Sequence, residues 1–194
     1  MKRCFFHTAL QCEAKALIRE FSLRRKQVSS PFPIYENGSI YLIVSGVGRI
    51  LSAAGVSFLG AHLNANEEDY WINVGIAGHR TLPIGTSCLI HQIKEVATKA
   101  VFYPSIVFSW SKPTYSLCTV DQVEEEYRGE SCYDMEASSF FQLANKFSPA
   151  EHIHSLKVIS DNKETCEINA KKVVELIKGE IKQIKVLQEH VANL

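Results

Sequence analysis

Three acidic residues in this sequence stand where a folded chain could use them as acid, base or grip. Glu136 belongs to the run Cys132-Tyr133-Asp134-Met135-Glu136, and four, seven and eleven residues beyond it lie Phe140, Leu143 and Phe147. That spacing is a helical apolar stripe; it predicts a helix over about 134–147 with a carboxylate on its core-facing side. An unpaired buried carboxylate costs several kcal/mol or is forced to take a proton, so it needs partners. The same spacing also suits two first-turn acids, Asp134 and Glu136, that complement the helix dipole. Glu13 lies just past an apolar run at 3–8, either at a ligand edge or as an exposed first-turn acid. Asp161 follows Leu156-Lys157-Val158-Ile159-Ser160. There it marks the carboxyl edge of a strand, where open α/β sheets collect ligands, or it caps the next helix.

The elements that must position these residues follow from periodicity. Residues 3–8 suit a buried first strand, and Leu10, Ala14, Leu17 and Phe21 give a helix over about 10–22. A polar, proline-punctuated loop covers 23–33. Asn37-Gly38 then joins Phe32–Tyr35 to Ser39–Val44 as a hairpin. The second arm runs into Ser45-Gly46-Val47-Gly48 and a small-residue helix from about 49 to 63, a turn that leaves backbone N–H groups free. It lacks the third glycine and the distant acid of a dinucleotide fingerprint. Another strand begins at Tyr70 and ends in Asn73-Val74-Gly75-Ile76-Ala77-Gly78, where a ligand could approach the backbone. Ser87–Ile93 is a further strand, 94–117 reads as irregular and aromatic, and Asp121–Tyr127 as a short acidic helix. A long helix over about 165–191 carries Val174, Ile177, Ile181, Ile184 and Val191. Helices alternating with strands predict one three-layer α/β domain spanning 1–194.

Composition excludes several classes of function. With 21 basic and 21 acidic residues the formal net charge is +0, so no broad field is aimed at nucleic acid or membrane. No apolar run approaches a membrane span. The opening Met1-Lys2-Arg3 imitates a signal peptide, but His7, Gln11 and Glu13 interrupt it. Cysteines 4, 12, 88, 118, 132 and 166 form no CxxC pair and no metal-ligand spacing. The expectation is a reduced, cytoplasmic protein with no metal or cofactor.

Four segments together resemble the nucleoside phosphorylase and nucleosidase superfamily, most closely its 5′-methylthioadenosine/S-adenosylhomocysteine nucleosidase branch. They are Ala9-Leu10-Gln11-Cys12-Glu13, Ser45-Gly46-Val47-Gly48, Asn73-Val74-Gly75-Ile76-Ala77-Gly78, and the pair Asp134-Met135-Glu136 with Ile159-Ser160-Asp161. The likeness spans residues 1 to about 165. It implies an α/β/α sandwich around a central twisted mixed sheet and cleavage of a purine-type N-glycosidic bond. It also implies a homodimer or higher homo-oligomer in which the aromatic stretch at Phe102-Tyr103 completes a pocket.

The chemistry suits those residue types. Breaking the bond builds positive charge on the sugar and negative charge on the departing base. Asp161 matches the family's acid at the base, which must hold a proton near neutral pH, as burial can arrange. Glu13 matches the carboxylate that activates water, with Lys157 beside that water. Glu136 matches the grip on the ribose hydroxyls and Met135 the packing under the sugar. Ser160 would steady Asp161, and Ala77-Gly78 would lie against the substrate. Departures concern the base pocket: a short 94–117 segment, Ile76 and Thr86 in place of more usual residues, and Val123 where nucleosidases place a base-stacking aromatic. A phosphorylase with phosphate as nucleophile stays open through Arg49 and Arg80, although Asn73 stands where phosphorylases often carry arginine. So does a non-catalytic nucleoside-binding protein on the same scaffold.

Overall fold

Phe5 and Phe6 are adjacent and both fully buried, yet they belong to two different cores. Successive side chains of a strand point to opposite faces, so a strand covered on both sides reads as an unbroken apolar run. The same division separates Trp71 from Ile72 and Val158 from Ile159. The computed structural model describes residues 2–164 and 168–194. Its first half runs β1 (Cys4–Thr8), α1 (Gln11–Glu20), β2 (Arg24–Arg25), β3 (Ile34–Asn37), β4 (Ile40–Val44), α2 (Arg49–His62) and β5 (Tyr70–Gly78). Then come β6 (Ser87–Glu95), β7 (Val101–Phe102), β8 (Thr114–Thr119), β9 (Cys132–Asp134), α3 (Ala137–Ala144), β10 (Ile153–Asp161), α4 (Ala170–Gly179) and α5 (Ile181–Ala192).

The strands form one mixed sheet in the order β10-β6-β8-β9-β5-β1-β4-β3-β2, with β7 on β6. Because β10 also pairs with β5, the strands β5, β10, β6, β8 and β9 close a circuit, and β1, β4, β3 and β2 extend from it as a wing. β1, β5 and β10 lie parallel, so Thr8, Gly78 and Asp161 end at the same edge. On one face Leu17, Ile177 and Leu187 bring in α1, α4 and α5; on the other Leu59 and Phe140 bring in α2 and α3. This is the expected central mixed sheet between helical layers. Among the described residues no helix is long and apolar enough to cross a membrane.

Five local expectations are corrected. The 94–117 segment is not irregular throughout: β7 and β8 lie at its ends, and β8 is held by parallel pairing to β6 and β9. The 23–33 loop contributes the two-residue β2 to the edge of the wing. No helix forms over Asp121–Tyr127; the Val120 N–H is tied to the Asp134 carbonyl at 2.8 Å, and Tyr127 takes φ +45°, outside the helical region. The helix expected from 134 starts at Ala137, because Cys132–Asp134 is strand and the Asp134 carboxylate accepts the Ala137 N–H at 2.9 Å. Residues 165–167 of the last expected helix lie outside the described residues. The remainder divides at Glu180, which ends α4 and begins α5 with φ −101° and ψ 12°, and its buried seam uses Val173 where Val174 was expected.

Candidate active site

Glu13, Glu136 and Asp161 come from α1, from the residue before α3, and from the end of β10, and all three line one cleft. Each is less than a tenth exposed. The cleft encloses about 740 Å³, including the space that opens to solvent, within the range of small-molecule sites.

Glu13 reaches back from the first turn of α1 to helix N–H groups that have no partner inside the helix. Its Oε2 accepts from Leu10 N at 2.8 Å and Ala9 N at 2.9 Å, and Oε1 accepts from Ile76 N on β5 at 3.0 Å. The exposed first-turn acid is thus replaced by a buried one that ties α1 to the central strand. Burial pushes its pKa up, while the Lys157 charge and those three N–H groups pull against it.

Glu136 precedes α3 and accepts the Gly48 N–H at 2.7 Å, so the glycine turn before α2 donates to a protein carboxylate. Burial, with the Asp134 charge beside it, pushes the Glu136 pKa up to about 7, against Lys157 and the Gly48 N–H. Asp134 is more than a helix-dipole acid. Its Oδ1 accepts from Thr119 Oγ1 at 2.8 Å, and Oδ2 lies 2.9 Å from the fully buried Lys157 Nζ. Burial works against the Lys157 ammonium, but Asp134, Glu136 and Glu13 together outweigh it and raise its pKa. A Cβ on Gly75 would stand 2.9 Å from Glu13 Oε1 and 3.3 Å from Lys157 Nζ. The missing side chain at 75 is what lets acid and ammonium converge.

Asp161 closes β10 beyond a register shift against β5. Ser160 Oγ donates to its Oδ1 and the Tyr127 hydroxyl to its Oδ2. The Tyr127 ring lies on Gly78, where no Cβ could be accommodated.

Met135, Ala77, Gly78, Ser160 and Val123 also line the cleft, Val123 at its rim and 74% exposed. Lys157 stands behind the lining. Phe102 packs on Phe141, ring centroids 5.9 Å apart, and the exposed Tyr103 accepts from Gln92 at 3.2 Å; neither reaches the cleft within this chain. Sequence reasoning missed Tyr127 and the Asp134–Lys157 pair. The one available signal for Tyr127 was a lone aromatic in an otherwise acidic segment.

No protein-family model matches the chain, and no curated protein sequence matches it. Solved structures do. The 5′-methylthioadenosine nucleosidase of Arabidopsis thaliana superimposes with a TM-score of 0.78 at 16% identity, over 98% of this chain and 96% of that one. The 5′-methylthioadenosine/S-adenosylhomocysteine nucleosidase of S. pneumoniae, solved with a transition-state inhibitor, gives 0.73 at 16% over 98% of each chain. Futalosine hydrolase of Helicobacter pylori gives 0.75 at 13%, over 98% of this chain and 99% of that one. At such identities the likeness speaks for backbone architecture, and it extends over the whole chain: the protein has the nucleoside phosphorylase/nucleosidase fold.

Proposed function

We propose that the chain hydrolyses the N-glycosidic bond of a purine-type nucleoside, an adenosine-derived thionucleoside or a relative, and releases the free base. The observation that carries this reading is the convergence of Glu13, Glu136 and Asp161 on one cleft from three separate elements. Asp161 gives a proton to the departing base, which leaves with the electron pair of the bond. Glu13 takes a proton from water as the water oxygen bonds to the sugar carbon, with the Lys157 charge close behind. Glu136 accepts from the ribose hydroxyls, Met135 packs beneath the sugar, and Ala77 and Gly78 lie against the base.

Water is favoured over phosphate by charge. Five acids, Glu13, Glu124, Asp134, Glu136 and Asp161, line the cleft, and among the described residues no lysine, arginine or histidine does. A phosphate site needs fixed cations or bidentate donors. Arg49 is engaged by Glu95 at 2.5 Å and Asp121 at 2.7 Å, and Arg80 borders a different, outer cleft. A binding protein without turnover is the second reading, favoured by the Tyr127 hydroxyl on Asp161. The chain is further read as a cytoplasmic homodimer; Ile50 at 85% and Tyr103 at 62% exposure are large side chains suited to a second copy.

The test is incubation with a nucleoside panel that includes 5′-methylthioadenosine, S-adenosylhomocysteine and futalosine, with and without phosphate. Free base released without phosphate supports the hydrolase. Strict phosphate dependence supports a phosphorylase, and binding without turnover supports the second reading.

A further inference from the structure

Tyr127 is a buried aromatic on a segment with no regular structure, and its contacts with Asp161 and Gly78 fall on the reacting end of the cleft. Its hydroxyl donates to Asp161 Oδ2, the oxygen that Ser160 leaves free, and its ring fills the space over Gly78. The carboxylate read as the acid for the leaving base therefore already has a partner on each oxygen. Phenol and base cannot occupy that place together.

The segment is fastened near its ends, and Asp121 within it pairs with Arg49 at 2.7 Å. The Val120 N–H meets the Asp134 carbonyl at 2.8 Å, and the Tyr133 hydroxyl donates to the Arg128 carbonyl. His79 Nδ1 accepts from Thr81 N and Leu82 N, both at 3.1 Å, which leaves its Nε2 to donate to the Glu130 carbonyl at 3.1 Å. Residues 121–129 include no helix or strand, and Val123 and Glu124 from the same segment form the cleft rim. Tyr127 itself is held at φ +45° and Gly129 at φ +93°, with open space around Gly129. A left-handed φ at an aromatic residue persists only where its contacts hold it. Here those contacts are Asp161, Gly78 and the Tyr133 ring, whose centroid is 5.7 Å away.

We propose that Tyr127 is an internal competitor for the base. Its phenol occupies the base position of the ligand-free cleft, latched to Asp161, and a nucleoside enters only by displacing it as the 121–129 segment moves outward. The inference rests on reading the cleft as a nucleoside site. Tyr127 acts through Asp161 and is a positioning residue that sets which ligands are admitted: only a base that bonds Asp161 better than the phenol does will open the site.

The competition lowers apparent affinity by the fraction of molecules that are open. Removing the latch in Tyr127→Phe, or ring and latch in Tyr127→Ala, should tighten adenine binding by about two- to ten-fold, the weight of a typical hydrogen bond. KM for the best nucleoside should fall in parallel, with kcat changing less. Amide hydrogen exchange over 121–129 should rise in Tyr127→Phe without any ligand, and in wild type once adenine is added. Tighter adenine binding by either variant supports the proposal. Equal affinities in all three proteins overturn it, as does weaker binding by both variants, which would make Tyr127 a base-binding residue. A wild type that cleaves nucleosides while the variants bind adenine equally sinks the competitor alone. Failure of all three to bind or cleave sinks the nucleoside reading itself.

Discussion

A carboxylate with a pKa raised to about 7 makes pH the sharpest probe at the scale of single residues. Burial and the neighbouring Asp134 hold Glu136 there, and the grip on ribose hydroxyls proposed for it would be strongest when ionised. The acid limb of kcat/KM should therefore lie near pH 7, well above the ordinary carboxylate range. Glu136→Gln should flatten that limb and lower the plateau by about ten- to a hundredfold. Stability runs the other way. The folded state binds this proton more tightly than the unfolded chain, so the contribution is fully present below the ordinary pKa of 4.5 and is lost as pH rises through about 7. A denaturation series from pH 4.5 to 8 checks the sign, and Glu136→Gln should remove this part of the slope. Asp161→Asn keeps shape but cannot hand over a proton, a loss of about 10²–10⁴-fold. A substrate whose base leaves without protonation should restore much of that loss. The same substrate should rescue Glu13→Gln less, since there the water is unprepared. Equal rescue of both variants would contradict the division of roles.

At the scale of elements, the junction of β9 with α3 carries more than its short length suggests. Asp134 ends the strand, accepts the first N–H of the helix and neutralises the buried Lys157. Asp134→Ala leaves that ammonium without its closest partner, and breaking a buried pair in this way costs about 3–5 kcal/mol. Urea denaturation should show it, and adding Lys157→Met should recover part of the loss. This junction also shows where sequence legibility ends. β1, α1, β4, α2 and β5 were readable because local patterns, alternation in strands and 3.6-residue spacing in helices, coincide with their burial. The ends of β5 and β10 could be named as ligand edges, and Glu13, Glu136 and Asp161 with them. β8 and β9 have no such pattern, because Thr114–Thr119 is mostly half-buried and Cys132–Asp134 is only three residues long. Tyr127 was illegible because its place is fixed by Gly78 and by Asp161, 34 residues further on.

For the whole molecule, parallel β1, β5 and β10 put three chain segments at one sheet edge, where α1 brings Glu13, the β9–α3 junction brings Glu136 and the end of β10 brings Asp161. The exposed side chains of Val47, just before α2, and of Ile50 and Leu51 in its first turn lie next to that edge, and Phe102 and Tyr103 stand apart from the chain's own cleft. These exposed side chains motivate the proposed homodimer; light scattering across micromolar concentrations should find it, and a fully active monomer would contradict it. The three acids acting together on a nucleoside with water is the claim on which everything else depends. Its most direct measurement is release of free base from 5′-methylthioadenosine, S-adenosylhomocysteine or futalosine in phosphate-free buffer by wild type, Glu13→Gln and Asp161→Asn. Release by the wild type that added phosphate does not accelerate, with near-complete loss in both folded variants, is the expected result. Release that needs phosphate, or that survives undiminished in either variant, would contradict it.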